Sequence, residues 1–245
     1  MTPRITLAVT GRVLTQVRRD HRTVAMLLVV PCLLISLLWW MFEDLPGDMF
    51  DRFGPGLLAM FPFIVMFLVT SVTTLRERSS GTLERLLTMP MGRLDFLLGY
   101  ALAFGLLAAV QAALAVGVSV GLLGLDVNGP VWLLGVVAVV DAVLGTALGL
   151  LVSAFATTEF QAVQFMPAFV LPQILLCGLF VPRAAMPSVL EAISNVLPLS
   201  YAVDAMQELV GTADDAAVWR DVLVVALFAL MALGLGAATL RRRTP

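Results

Sequence analysis

The sequence predicts an all-α membrane protein with six transmembrane helices and an N-terminal interfacial amphipathic helix. A short inner-loop helix between spans two and three and an outer re-entrant helical hairpin before span six complete the fold. Three observations predict it. The chain of 245 residues is 60% apolar and only 13% charged, outside the range of water-facing domains. Its apolar runs recur at about the 20 residues needed to cross a bilayer, near 24–42, 54–75, 96–123, 131–154, 161–181 and 219–240. Its arginines are sorted by side, as the positive-inside rule requires.

Residues 3–22 read as an amphipathic helix. At about 100° per residue, Ile5, Leu7, Val9, Val13, Leu14 and Val17 share one arc. Arg4, Arg12, Arg18, Arg19 and Arg22 share the other. Such a helix is suited to the plane of an anionic bilayer surface. The segment has no continuous apolar core and no small-residue cleavage site after it, so it does not read as a cleavable signal peptide. With the N-terminus inside, Arg76, Arg78, Arg85, Arg93, Arg241, Arg242 and Arg243 join those five on the cytoplasmic side. Only Arg52, Arg183 and Arg220 fall outside, among Glu43, Asp44, Asp48, Asp51, Asp214 and Asp215. Both termini are therefore expected to be cytoplasmic.

Span three exceeds the bilayer's requirement and should tilt. Residues 124–130 (Gly-Leu-Asp-Val-Asn-Gly-Pro) form a tight outer turn, and the joint near Ala156–Glu159 is equally short. Between spans two and three, Gly81 or Ser80 can start a helix of about two turns. Glu84 stands near its positive end, Leu83, Leu86 and Leu87 form a stripe, and Pro90 stops it. A helix so short needs a partner surface to persist. Beyond Pro182 the chain is too long for a turn and too broken for a span. Ser188 as N-cap with Glu191 three residues on reads as a capping box. A second short helix at about 200–210 stops at Gly211. Two short apolar helices here suggest a hairpin dipping into the outer leaflet; the alternative is an interfacial loop covering the span ends.

The residue inventory excludes much. All fifteen basic residues are arginine, so no P-loop lysine exists and the chain cannot carry a standard ATP site. His21 is the single histidine, which removes His-based intramembrane catalysis and zinc clusters. No catalytic or metal site is expected, no cofactor is expected in this chain, and no nucleic-acid partner either. Cys32 and Cys177 lie in apolar runs and read as small buried hydrophobes.

Two motifs carry a family resemblance. The first is Glu77-Arg-Ser-Ser-Gly-Thr-Leu-Glu-Arg-Leu-Leu87. The second runs Phe180-Val-Pro182, Met186-Pro187, then Ile193-Ser-Asn-Val-Leu-Pro198-Leu-Ser-Tyr201-Ala-Val-Asp204. In this order the chain resembles the ABC-2 family of ATP-driven exporter permeases, especially the bacterial daunorubicin-resistance-type branch. The resemblance implies one transmembrane domain over residues 1–245 in a bacterial plasma membrane. It implies that residues 76–92 are a coupling region docking on a separate ATPase, with Arg76, Glu77, Arg78, Gly81, Thr82, Leu83, Glu84, Arg85, Leu86 and Leu87 at its centre. It implies that residues 3–22 are a connecting helix and 182–210 outer re-entrant helices, with Pro182, Pro187, Ser188, Pro198, Tyr201 and Asp204 at the gate. Family members often carry an arginine just after the Tyr-x-x-Asp element, where this chain has Gln207.

Asp141 lies midway along span four among Val139, Val140, Ala142 and Val143. An acid at that depth marks a functional or paired site, and two readings stay open: a structural acid facing another helix, or a substrate-pathway residue. Gly117-x-x-x-Gly121 and Gly145-x-x-x-Gly149 permit close helix contact, a pattern a chain rich in Ala and Gly produces readily. Pro167 and Pro172 should kink span five.

The expected function is the permease subunit of an exporter that moves an amphipathic drug-like or lipid-like substrate. Two ATPase copies would bind ATP and Mg, and a second permease copy or a paralogue would complete the pathway within membrane lipid. The alternatives are an ion-coupled secondary transporter, for which only Asp141 qualifies as a coupling residue, and a non-transporting membrane anchor or sensor.

Overall fold

Gly145 and Gly149 decide how the centre of the bundle packs. The computed structural model describes residues 3–44, 49–79, 93–212 and 214–239. Among them nine α-helices occur: α1 (Pro3–Arg19), α2 (His21–Phe42), α3 (Met49–Ser79), α4 (Arg93–Gly121), α5 (Val131–Ser153), α6 (Glu159–Leu176), α7 (Ser188–Ser194), α8 (Pro198–Val210) and α9 (Asp215–Thr239). A 3-10 turn, Arg183–Ala185, precedes α7. The two glycines of α5 lie against the backbone of α3: a Cβ on Gly149 would stand 2.6 Å from the Phe67 carbonyl oxygen, and one on Gly145 would meet that of Phe63. Small residues let helix backbones approach this closely, and dispersion then accumulates along the seam. Nothing among the described residues lies within 4 Å of a Cβ on Gly117 or Gly121 of α4, so among them the Gly145–Gly149 pair forms a seam and this pair does not.

Both α4 and α8 pack on α3 and α5, while α9 packs on α5 and α8 and α2 packs on α3 and α4. Phe63, Phe67, Tyr100 and Phe104 are the largest fully buried side chains. The outward surface is inverted relative to a soluble domain. Met26, Leu33 and Leu37 of α2, Leu102, Leu106 and Val110 of α4, and Leu223, Leu227 and Leu230 of α9 are all exposed. Stripes of this length have no counterpart on monomers in water. They fit lipid, and the chain is a multi-pass membrane protein.

Among the described residues five helices are long and apolar enough to span: α2, α3 over Met49–Glu77, α4 over Leu98–Gly121, α5, and α9 over Asp215–Gly236. The expected fifth span, α6, is not among them. It has 18 residues, and Glu159, Gln161, Gln164 and Gln173 dilute its apolar content while Pro167 and Pro172 interrupt it.

Four expectations are corrected in α1 and at the start of α7. The helix expected over 3–22 stops at Arg19, because Asp20 caps α2: its carboxylate accepts the Thr23 amide at 3.2 Å and the Thr23 hydroxyl at 2.7 Å. The apolar stripe of α1 is not free for lipid. Val9, Val13 and Val17 are buried, and the missing side chain at Gly99 seats Val9 on α4, where Thr10 Oγ1 donates to the Gly99 carbonyl at 3.1 Å. Leu7 of the supposed apolar arc is exposed, and Arg12 of the polar arc turns inward. The capping box at Ser188 does not form. Pro187 occupies the N-cap, so Ser188 is already inside the first turn and makes no cap hydrogen bond. Pro198 begins α8 at its first helical position, where its fixed φ is favourable.

Candidate functional site

Chemistry-bearing side chains gather at the two ends of the bundle. At the end that carries α1, consecutive residues of α3 reach two different helices. Glu77, almost fully buried, accepts from Arg12 of α1. Arg76 makes a two-pronged contact with Glu159 at the first turn of α6, Nε to Oε1 at 3.0 Å and Nη2 to Oε2 at 3.2 Å. Both side chains of the second pair are partly exposed, which screens it. The fork still matches the carboxylate and holds Glu159 below the usual carboxylate range. Buried Asp95 of α4 accepts from Thr6 Oγ1 at 3.4 Å. Hence α1, α3, α4 and α6 meet at the C-terminal end of α3. Of the predicted coupling residues, Arg76 and Glu77 are in this junction. Gly81, Thr82, Leu83, Glu84, Arg85, Leu86 and Leu87 lie outside the described residues, as does the side chain of Arg78.

At the opposite end, α7 and α8 both pack on α6, and the residues that join them rest on the C-terminus of α6. Ser194 Oγ donates to the Leu176 carbonyl at 2.7 Å and lies 3.2 Å from Ser200 Oγ. One of α6's orphan terminal carbonyls is thereby satisfied. Gln173 Nε2 donates to the Phe169 carbonyl at 3.0 Å, and its Oε1 accepts the Leu199 amide at 3.4 Å. Arg183 holds the pair together. Its guanidinium donates to the Asp204 carboxylate and to Asn195 Oδ1, and it covers the Tyr201 ring at 4.9 Å. Tyr201 closes the ring by donating its hydroxyl to the Asn195 carbonyl at 2.8 Å. Gly178, at φ +93°, makes the turn beneath: a Cβ there would stand 3.4 Å from Arg183 Cγ and 3.6 Å from Asp204 Oδ1.

Of the predicted gate residues, Tyr201 and Asp204 are in this cluster. Pro182, Pro187 and Pro198 set its turns, and Ser188 is exposed at the start of α7. Sequence reasoning looked for a basic partner just after Asp204 and found Gln207. The partner is Arg183, on the preceding arm. Gln207 instead lines a pocket of about 270 Å³ with Asp51, Arg52, Gly178 and Pro182.

Asp141 belongs to neither cluster. It is fully buried on α5, one turn before Gly145, and neither carboxyl oxygen has a hydrogen-bond partner among the described residues. Cys32 and Cys177 are free thiols; Cys177 is buried as expected, whereas Cys32 is only half-buried. No group of metal-ligating side chains occurs among the described residues.

Residues 5–210 match the family described as ABC-2 type transporter. The chain belongs to the ABC-2 type transporter family. Its relatives include the probable multidrug ABC transporter permease YbhS of Escherichia coli strain K12, 29% identical over 63% of this chain and 41% of that protein. The inner membrane transport permease YhhJ of the same strain is 29% identical over 63% of this chain and 42% of its own length. ABC transporter G family member 20 of Dictyostelium discoideum is 25% identical over 65% of this chain and 22% of its length. The chain thus matches about two fifths of the bacterial relatives. Membership agrees with a multi-pass membrane bundle.

Proposed function

We propose that this ABC-2 permease is the membrane subunit of an ATP-driven exporter in a bacterial plasma membrane, with both termini cytoplasmic, and that it belongs to the daunorubicin-resistance-type branch. The observation that carries the reading is the junction at Arg76 and Glu77. The stretch that opens with these residues follows the family's coupling pattern, and both are braced against neighbouring helices. A soluble ATPase pushing on residues 76–92 would therefore push on α1, α3 and α6 together. ATP and Mg would sit in that partner, in two copies, because a chain without lysine has no P-loop of its own.

In this reading α6 is a sixth, short span. Its 18 residues cover about 27 Å, and the α7–α8 pair completes the outer leaflet as a re-entrant hairpin over the exit. Backbone irregularity of that kind is tolerated where protein buries it, and α8 is buried along Leu199, Ala202, Val203, Ala205, Met206 and Leu209. A second copy or a paralogue would complete the pathway. The proposed cargo is an amphipathic drug-like or lipid-like molecule, in line with the multidrug names of two bacterial relatives. Affinity purification from membranes tests the reading. A cassette ATPase should co-purify, and its hydrolysis should depend on this chain and be uncoupled from export by Glu84→Ala. Absence of an ATPase, or cargo movement driven by a proton gradient alone, would overturn it.

A further inference from the structure

Helix α6 is tied at both ends and loosely held between them. At its first residue Glu159 takes the two-pronged contact from Arg76. About 27 Å along the axis, its last carbonyl, Leu176, accepts from Ser194 at the tip of the α7–α8 pair. Gln173 meets the start of α8, and the Gly178 turn leads directly to Arg183, which grips Asp204 and Asn195. Along the middle, Val163, Gln164, Pro167, Phe169, Leu171 and Pro172 are exposed. Only Ala162, Val170 and Gln173 are buried. The helix packs on α3, α7 and α8 and barely touches α5. A displacement of α6 would therefore cost little buried area while the α3–α5 seam stays closed. Its hydrogen-bond ladder is stiff along the axis, and the two prolines confine bending to the exposed middle.

We infer that α6 is the transmission element of the exporter and Glu159 its positioning residue: displacement of the C-terminal end of α3 at Arg76 reaches residues 177–200 through the Arg76–Glu159 pair and the length of α6. The inference rests on the export reading for its direction. Its physical content, a linkage between two ends of one helix, belongs to the chain alone.

The test is amide hydrogen exchange of the full chain in lipid nanodiscs. Glu159→Arg and Arg76→Glu each place like charges at the junction. Each should speed exchange across residues 177–200 by about two- to five-fold, the scale set by a partly exposed ion pair, with α5 and α9 unchanged. The combined Arg76→Glu, Glu159→Arg chain restores opposite charges and should return exchange to the wild-type rate. Unchanged exchange over 177–200 would overturn the linkage. So would acceleration shared equally by α5 and α9, or a double variant no better than the singles. The measurement needs no ATPase and no cargo, so its failure is distinct from failure of the export reading, which co-purification decides.

Discussion

Arg183 donates to Asp204 from the arm before α7 and lays its guanidinium over Tyr201, so a single side chain ties residues 183–204 together from three directions. The planar fork matters as much as the charge, since it meets a carboxylate, an amide oxygen and a ring face at once. Arg183→Ala removes all three contacts and leaves the largely sheltered Asp204 without its cation. A loss of about 1–3 kcal/mol of stability is expected, read as a lowered melting temperature and faster exchange over residues 188–210. Arg183→Lys keeps the charge but loses the fork and should fall between the two. Equal melting of all three proteins would show that the ring does not hold the hairpin.

Gly178→Ala tests the turn beneath it. The backbone there sits at φ +93°, where side chains other than glycine are strained, while the added Cβ would make only ordinary contact with Arg183 Cγ. The expected cost is about 1–3 kcal/mol, concentrated at the hairpin rather than in the α3–α5 seam. Hydrogen exchange resolves the two regions.

Gly145→Val should prevent correct packing of α5 on α3, because the Cβ would meet the Phe63 carbonyl and backbone cannot yield as a flexible side chain does. Gly117→Val is the control, since nothing lies within 4 Å of that position. Size-exclusion profiles after detergent extraction should show Gly145→Val aggregated or absent and Gly117→Val like wild type. Similar profiles for both would dissociate the seam from folding.

That contrast shows what was legible in the sequence. Span positions came from apolar run length, which lipid imposes directly, so α2, α3, α4, α5 and α9 fall close to their expected places. The two glycine pairs have the same spacing, and only the neighbouring helix tells them apart. Arg12 was misplaced on the helical wheel because the wheel assumes that every charge faces water, whereas buried Glu77 draws this one inward. The partner of Asp204 lies 21 positions away, beyond any local motif. The Ser188 box failed by a single residue, with Pro187 taking the cap.

The Arg76–Glu159 pair should respond to acid in a definite direction. The fork lowers the carboxyl of Glu159 below its ordinary range, so the folded state prefers the ionised form. Its contribution is present above the ordinary carboxylate value of about 4.3 and fades as pH falls through the lower folded value. Exchange over 177–200 should therefore be flat from neutral pH to about pH 5, after correction for intrinsic rates, and should rise only below about pH 4. Half-molar salt at neutral pH should mimic part of that rise by screening. A rise already at pH 6, or no response to salt, would assign the change to another group.

Asp141 has no hydrogen-bond partner among the described residues, which changes what its variants should do. Asp141→Asn keeps the volume and leaves a polar group equally unpaired, so the folded protein should melt close to wild type. Asp141→Leu removes an unpaired buried polar group, which relieves about 1–3 kcal/mol. The larger side chain costs a similar amount by overpacking. The two effects oppose each other, and the Leu protein should also fold. Stability measured first therefore frees transport to report on function. If Asp141 lies on the cargo pathway, both variants should fold yet lose export, with cationic compounds affected before neutral ones. If it is purely structural, export should follow the melting temperature. A Leu protein that melts well below an intact Asn protein would show that the carboxyl holds a hydrogen bond to a segment outside the described residues.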